Sequence, residues 1–128
     1  MDAVPAVIFI SRDPTCEKMT GSRATYEILR TPPGANVSKS APEGERPGQF
    51  QTMKDGRVIP AQRLPMQQAA ATAKAVTDYE FDVEYPDGSR RTLLGNAIPL
   101  LDEAGSSRGA VSAFLDITER KRLEEALR

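Results

Sequence analysis

The sequence predicts an α+β fold: a five-stranded antiparallel sheet with helices on one face and a C-terminal exit helix. Three observations carry this. Residues 77–85 alternate Tyr79, Phe81, Val83 and Tyr85 with Asp78, Glu80, Asp82 and Glu84, the period of a strand with one buried face. Two turn signals, Pro86-Asp87-Gly88-Ser89 and Asp102-Glu103-Ala104-Gly105, then divide the C-terminal half into a three-stranded meander. Far upstream, residues 4–11 hold the β-rich run Val7-Ile8-Phe9-Ile10. The chain has 128 residues, enough for one domain that buries about two-thirds of its unfolded surface without disulfides or metal.

The elements follow in order. Both parities of residues 4–11 are apolar, so this strand reads as central and covered on both faces. Residues 16–19 read as a short second strand. Ser22 stands as a helix N-cap before residues 23–30, where Tyr26, Leu29 and Arg30 recur at helical spacing and Ile28 fills the same side. Residues 31–48 hold four prolines and three glycines and read as an irregular crossover, with at most a helical turn near Val37. Lys54-Asp55-Gly56-Arg57 is a hairpin turn between residues 50–53 and 58–59, a second small unit. Pro65 suits a first helical position, and residues 66–74 are rich in Ala and Gln. Residues 91–101 and 109–117 complete the meander. Residues 118–128 form a charged helix whose apolar stripe is Leu123 and Leu127. Asp116 and Glu119 stand at capping-box spacing, with Thr118 as a rival cap, and Arg120–Glu124, Lys121–Glu125 and Glu124–Arg128 are i,i+4 pairs.

Composition excludes several functions. The net charge of −1 lacks the footprint of a nucleic-acid binder. There is no histidine, so neither a Ser–His–Asp nor a Cys–His nucleophile is available, and no imidazole for haem, zinc or copper. The chain is therefore expected to be non-catalytic. One cysteine makes no internal disulfide and suits a reducing, cytoplasmic compartment. No apolar run is long enough to insert in a membrane, and the N-terminus is not a signal peptide. Gly34-Ala35-Asn36-Val37-Ser38-Lys39-Ser40 lacks the glycine before lysine that a phosphate loop needs. Asn36-Val37-Ser38 is a glycosylation sequon in spelling only. The acidic row Glu80, Asp82 and Glu84 reads as a solvated strand face, not a calcium site, and Cys16 as a small semi-buried residue.

The run Phe114-Leu115-Asp116-Ile117-Thr118-Glu119-Arg120-Lys121-Arg122-Leu123-Glu124-Glu125-Ala126-Leu127 resembles the junction at which the last strand of a PAS sensor domain enters a signalling coiled coil. Asp87-Gly88, Ala97-Ile98-Pro99-Leu100, Gly105, Pro5-Ala6-Val7-Ile8-Phe9-Ile10 and Thr20-Gly21-Ser22-Arg23-Ala24 extend the likeness over nearly the whole chain. Leu29-Arg30-Thr31-Pro32-Pro33-Gly34 with Ser40-Ala41-Pro42 is similar to modules of bacterial multi-domain sensor histidine kinases. The resemblance implies a PAS-like (profilin-like) fold, with residues 1–117 as the domain and 118–128 as the start of its linker. The helix stops mid-pattern at Arg128, and the family's flanking N-terminal helix is expected to be truncated, since the sequence starts almost at strand one. The expectation is a sensor cut from a longer chain, relaying a small-molecule or partner signal to a C-terminal output domain, a histidine kinase or a cyclic-dinucleotide synthase. A ligand-free dimerisation module is the alternative.

By the same resemblance the inner sheet face encloses a cavity. Its candidate residues are Ile10, Tyr26, Phe81, Val83, Leu93, Gly95, Ala97, Ala110, Ser112 and Phe114. The small residues Gly95, Ala97, Ala110 and Ser112 leave volume there, unless side chains such as Met66 or Tyr26 fill it. Leu94, Ile98, Val111 and Leu115, with Ala113, form an apolar outer face expected to pair in a homodimer, where Asn96 serves as a structural amide. Asp116, Ile117, Thr118, Glu119 and Arg120 form the signal junction. The missing histidine argues against His-ligated haem. Cys16 lies before the first helix, outside the family's flavin-adduct motif, and the missing tryptophan argues weakly against redox flavin. No cofactor is named.

Overall fold

The computed structural model describes residues 5–47 and 50–128. Val4, the expected first residue of strand one, and Gly48 of the crossover lie outside them. The sheet is antiparallel throughout and carries β1 (Val7–Ser11), β2 (Thr20–Gly21), β3 (Gln51–Lys54), β4 (Arg57–Val58), β5 (Val76–Glu84), β6 (Arg90–Leu101) and β7 (Ser107–Asp116). The helices are α1 (Arg23–Leu29), α2 (Pro65–Thr72) and α3 (Thr118–Ala126), with a 3-10 turn at Ala61–Arg63.

The strand order is β2-β1-β7-β6-β5-β3-β4. The α+β class and the central place of β1 agree with expectation. The sheet is wider than the expected five strands, because the 51–58 hairpin joins its edge through Thr52 opposite Val83. Asp55 and Gly56 both take positive φ, 53° and 79°, as a two-residue hairpin turn matched to strand twist requires.

Three local expectations change. Residues 16–19 are not a strand: Cys16 sits in a turn at φ 54°, and β2 begins at Thr20. No helical turn forms near Val37, whose extended backbone N–H instead donates to the Met19 carbonyl at 3.1 Å. Ser22 holds the N-cap position without capping α1, since its Oγ donates to the Ala6 carbonyl at 3.0 Å and accepts the Ile8 N–H at 3.2 Å. That hydroxyl fastens the helix to β1. Asn36 brackets the crossover in the same manner, accepting the Met19 and Ser38 N–H groups and donating to the Glu17 carbonyl.

Helices α1 and α2 and the crossover cover one face of the sheet. The core lies there, with Phe114 between Phe9 and Phe81 in edge-to-face contacts of 6.2 and 5.2 Å. Among the described residues, the other face carries only the first turn of α3. Strand β1 is therefore covered on one face of this chain, not two: Val7, Phe9 and Ser11 are buried, while Ile8 stands exposed and Ile10 partly so.

Candidate functional site

A pocket opens between the inner sheet face, the two helices and the crossover. Phe9, Phe81, Val83 and Phe114 floor it, Thr52 bounds it from β3, and Met19, Leu29, Leu64, Pro65 and Met66 close its sides. Val37, Lys39 and Phe50 supply the crossover wall, and Gln67 of α2 completes it. The free space is about 40 Å³, room for about three water-sized atoms.

The expected cavity residues fall into separate groups. Phe81, Val83 and Phe114 line this pocket. Leu93, Ala97, Ala110 and Ser112 are buried elsewhere on the inner face. Helix α2 packs on β6 and β7, the strands that carry Gly95, Ala97, Ala110 and Ser112, and buries its own Ala69 and Ala70. Small side chains thus bring a helix close to the sheet. The expectation that they leave a cavity is corrected.

Gly95 has a further reason to lack a side chain: a Cβ there would lie 2.0 Å from the Ala113 carbonyl oxygen of β7. Tyr26 is buried on α1, with its hydroxyl accepting the Gly21 N–H at 3.1 Å, and does not line the pocket. Ile10 belongs to the opposite face, because the pairing Phe9↔Ser112 sends Phe9 inward and its neighbours outward. Sequence reasoning missed the crossover wall, Lys39 and Phe50, and also Gln67. No strand or helix period marks Lys39, and Gln67 sits in a run that reads only as a helix former.

The polar members of this lining are Lys39, Thr52 and Gln67. Lys39 is half-buried. Its ammonium donates to the carbonyls of Pro47, at 3.0 Å, and Phe50, and lies 4.1 Å from the Phe50 ring centroid. Burial holds its pKa below the usual lysine range. Gln67 is 6% exposed; Nε2 donates to Ser40 Oγ at 3.1 Å, while Oε1 has no partner.

The inner face connects directly to α3. Strand β7 carries Phe114 on the pocket floor and ends two residues later at Asp116. Asp116 Oδ1 accepts the Thr118 N–H at 2.9 Å and the Thr118 hydroxyl. Its Oδ2 accepts Arg91 Nε at 2.8 Å and Arg91 Nη2 at 2.7 Å. Thr118 Oγ1 in turn accepts the Thr92 N–H at 2.8 Å, and the Ile117 N–H donates to the Thr92 carbonyl at 2.8 Å. Partial burial pulls the Asp116 carboxyl upward, but the bonds from Thr118 and Arg91 outweigh it and hold its pKa below the ordinary aspartate value.

The N-cap of α3 is Ile117, not Asp116 or Thr118. Asp116 nevertheless supplies the capping oxygen from one residue earlier. Glu119 is exposed and Arg120 pairs with Glu124 at 3.7 Å, so neither joins this network. The sequence-derived junction instead gains Arg91 and Thr92 from β6. The acidic row on β5 is engaged as well: Thr92 Oγ1 donates to Asp82 at 2.7 Å, Arg90 lies 3.7 Å from Asp82, and Lys121 pairs with Glu80 at 3.1 Å. Lys121 thus meets β5 rather than the expected Glu125. Glu80 and Asp82 pair with neighbouring side chains, while all three members of the row stay partly exposed.

On the outer face, Leu94, Ile98, Val111 and Leu115 share one side with Ile8 and Ile10 through the rows Ile10↔Val111↔Ile98 and Leu115↔Leu94. Ile98 and Leu115 are 52% and 53% exposed. Asn96 Oδ1 accepts the Asp78 N–H at 2.8 Å, where β5 bulges and Asp78 takes φ 52°, so this amide serves the fold.

Haem and flavin do not fit this site: its free space is a few atoms wide and the chain has no histidine. Among the described residues there is no cluster of three metal-binding side chains, and no helix long and apolar enough to cross a membrane.

Among curated proteins, none matches the chain by sequence. Among solved structures, it is similar to a sensory box histidine kinase/response regulator from Burkholderia thailandensis. That match has 22% identity and a TM-score of 0.56, and covers 96% of this chain and 85% of the other. It is also similar to the VqmA dimer of Vibrio cholerae, at 16% identity and TM-score 0.53, covering 91% of this chain and 48% of that one. A family model described as the PAS fold matches residues 22–122. That match takes in α1, the pocket wall, the meander and the first turn of α3, so the chain belongs to the PAS-fold family.

Proposed function

We propose that the chain is a non-catalytic sensor module that relays occupancy of its pocket, through β7 and α3, to a C-terminal output domain. The observation that carries this is the continuity of one strand. Phe114 floors the pocket and Asp116, two residues on, fixes the start of α3. Any ligand that moves Phe114 strains a strand end whose polar atoms already have partners, and the exit helix is the element free to respond.

In this reading, residues 1–117 sense and residues 118–128 open the linker. A histidine kinase is the favoured output, supported by the sensory kinase that shares the fold. VqmA shares it as well and is described as a dimer in the absence of its target DNA, so the fold is compatible with more than one output class. A cyclic-dinucleotide synthase would use the same helix. The single cysteine favours a cytoplasmic setting. In the full-length parent, Asp116→Ala is expected to alter basal output, stimulated output or both. Unchanged output at both levels would sink the relay.

A second reading is a ligand-free dimerisation module, favoured by the exposed Ile98 and Leu115 beside a nearly filled pocket. Native mass spectrometry separates the two. A co-purifying small molecule supports sensing, and a clean dimer that Ile98→Asp converts to monomer supports pairing through the outer face.

A further inference from the structure

Where β3 ends, one edge of β5 loses its neighbour. The last β3–β5 pair is Met53↔Asp82, so among the described residues 76–80 have a strand beside them on the β6 side alone. A solvent-open groove of about 1090 Å³ runs along this stretch. Its apolar strip is Val58, Ile59, Pro60, Val76 and Tyr79, and Val58 is 55% exposed. Its rim carries Lys54, Arg57 and Arg63 against the one carboxylate of Asp55, on a chain whose net charge is −1. Asp78, at the bulge in this stretch, gives its N–H to Asn96 and does not line the groove. Among the described residues none of the three cations makes an ion pair. The Lys54 ammonium is committed to the Glu80 carbonyl at 2.6 Å and lies 4.6 Å from the Tyr79 ring centroid. Arg57 and Arg63 are both exposed.

These features define the occupant. A strand edge beside an apolar strip suits an extended peptide, whose alternate side chains settle on the strip. Exposed guanidiniums match carboxylates in paired bonds, so the complementary segment is acidic, and a basic one is repelled. A small anion leaves the apolar strip uncovered. A nucleic acid finds no stacking platform, because Lys54 already covers the one aromatic ring of the groove. We propose that this groove docks an extended acidic segment of a partner protein, its apolar side chains on Val58 and Val76 and its carboxylates on Arg57 and Arg63. Glu80 ties the groove to the exit helix, giving its carbonyl to Lys54 and its carboxylate to Lys121 of α3. Docking here is an input separate from the inner pocket and does not depend on what that pocket holds.

The test titrates the ¹⁵N-labelled chain with three end-blocked hexapeptides. The first alternates glutamate with valine, the second lysine with valine, the third glutamate with serine. Saturable shifts of the Val58, Val76 and Tyr79 amides are expected with the first, and binding of the other two at least about tenfold weaker. Arg57→Glu combined with Arg63→Glu should reverse the preference, losing the glutamate–valine peptide and gaining the lysine–valine one. Both positions are exposed, so this double variant should keep the amide dispersion of the natural chain. If it does not, the peptide series on the natural chain decides alone.

No saturable shift by about 2 mM glutamate–valine peptide, or equal binding of either control, overturns the proposal. Equal or tighter binding of an oligothymidine of about twelve nucleotides would assign the groove to nucleic acid and overturn it as well. So would movement of the same amides on diluting the chain alone, the mark of a second copy. The Lys121 amide reads the tie to α3 separately. Groove shifts with Lys121 unmoved uphold the docking and sink the tie.

Discussion

The pocket and the strand–helix junction are built on opposite terms. The pocket is apolar packing in which the buried Gln67 keeps one amide oxygen without a partner. At the junction, Asp116, Thr118, Arg91, Thr92 and Asp82 bond chiefly to one another. The contrast shows where each region can yield. Apolar packing adjusts by small shifts of side chains, whereas a committed hydrogen-bond network holds one geometry until it breaks. An input region of the first kind joined to an output region of the second turns a graded displacement into a discrete one.

The largest expected effect comes from the floor the two regions share. Phe114 is 1% exposed and touches both Phe9 and Phe81, so Phe114→Ala should cost about 3–5 kcal/mol, read by denaturant unfolding. A loss below about 1 kcal/mol would mean that the floor is already loose and the contrast is wrong. Next is Thr118→Val, which keeps the shape but leaves the buried Thr92 N–H without its acceptor. It should cost about 1–3 kcal/mol and expose the Thr92 amide to faster hydrogen exchange. Unchanged exchange would show that the network is not committed.

Acid sharpens the same point. The folded pKa of Asp116 lies below its unfolded value, so its contribution is present above about pH 4 and is lost as pH falls through the folded pKa. Asp116→Asn should therefore flatten the decline in stability below pH 4, and an unaltered acid limb would remove Asp116 from the account. Ile98→Asp stands last: it should change monomer stability by no more than about 0.5 kcal/mol, because the residue meets solvent.

Legibility in the sequence divides along the same boundary. The meander and junction were readable because period-2 alternation, Asp-Gly turns and the run after Phe114 are local signals. The inner-face placement of Phe81, Val83 and Phe114 came from the family resemblance, and all three line the pocket. Arg91 escaped because its tie to Asp116 crosses from β6 to β7, and sequence spacing does not record cross-strand contact. The crossover wall escaped for a stronger reason. Lys39 and Phe50 are positioned by turns and by side-chain brackets such as Asn36, which have no period. The small residues of β6 and β7 were legible as small, but their purpose was set by α2, an element they do not predict.

Cys16 sits at the back of the crossover wall. It is fully enclosed, with its sulfur 3.7 Å from the Met66 carbonyl and its own carbonyl accepting the Ser38 hydroxyl. Burial pushes the thiol's pKa up, which keeps it in its unreactive form. Because it is the chain's single sulfhydryl, alkylation becomes a stopwatch for this wall: the reagent can attack only during moments when residues 16–38 swing away from α2. An occupant that braces the wall would lengthen the labelling half-life without any dye, tag or mutation being introduced.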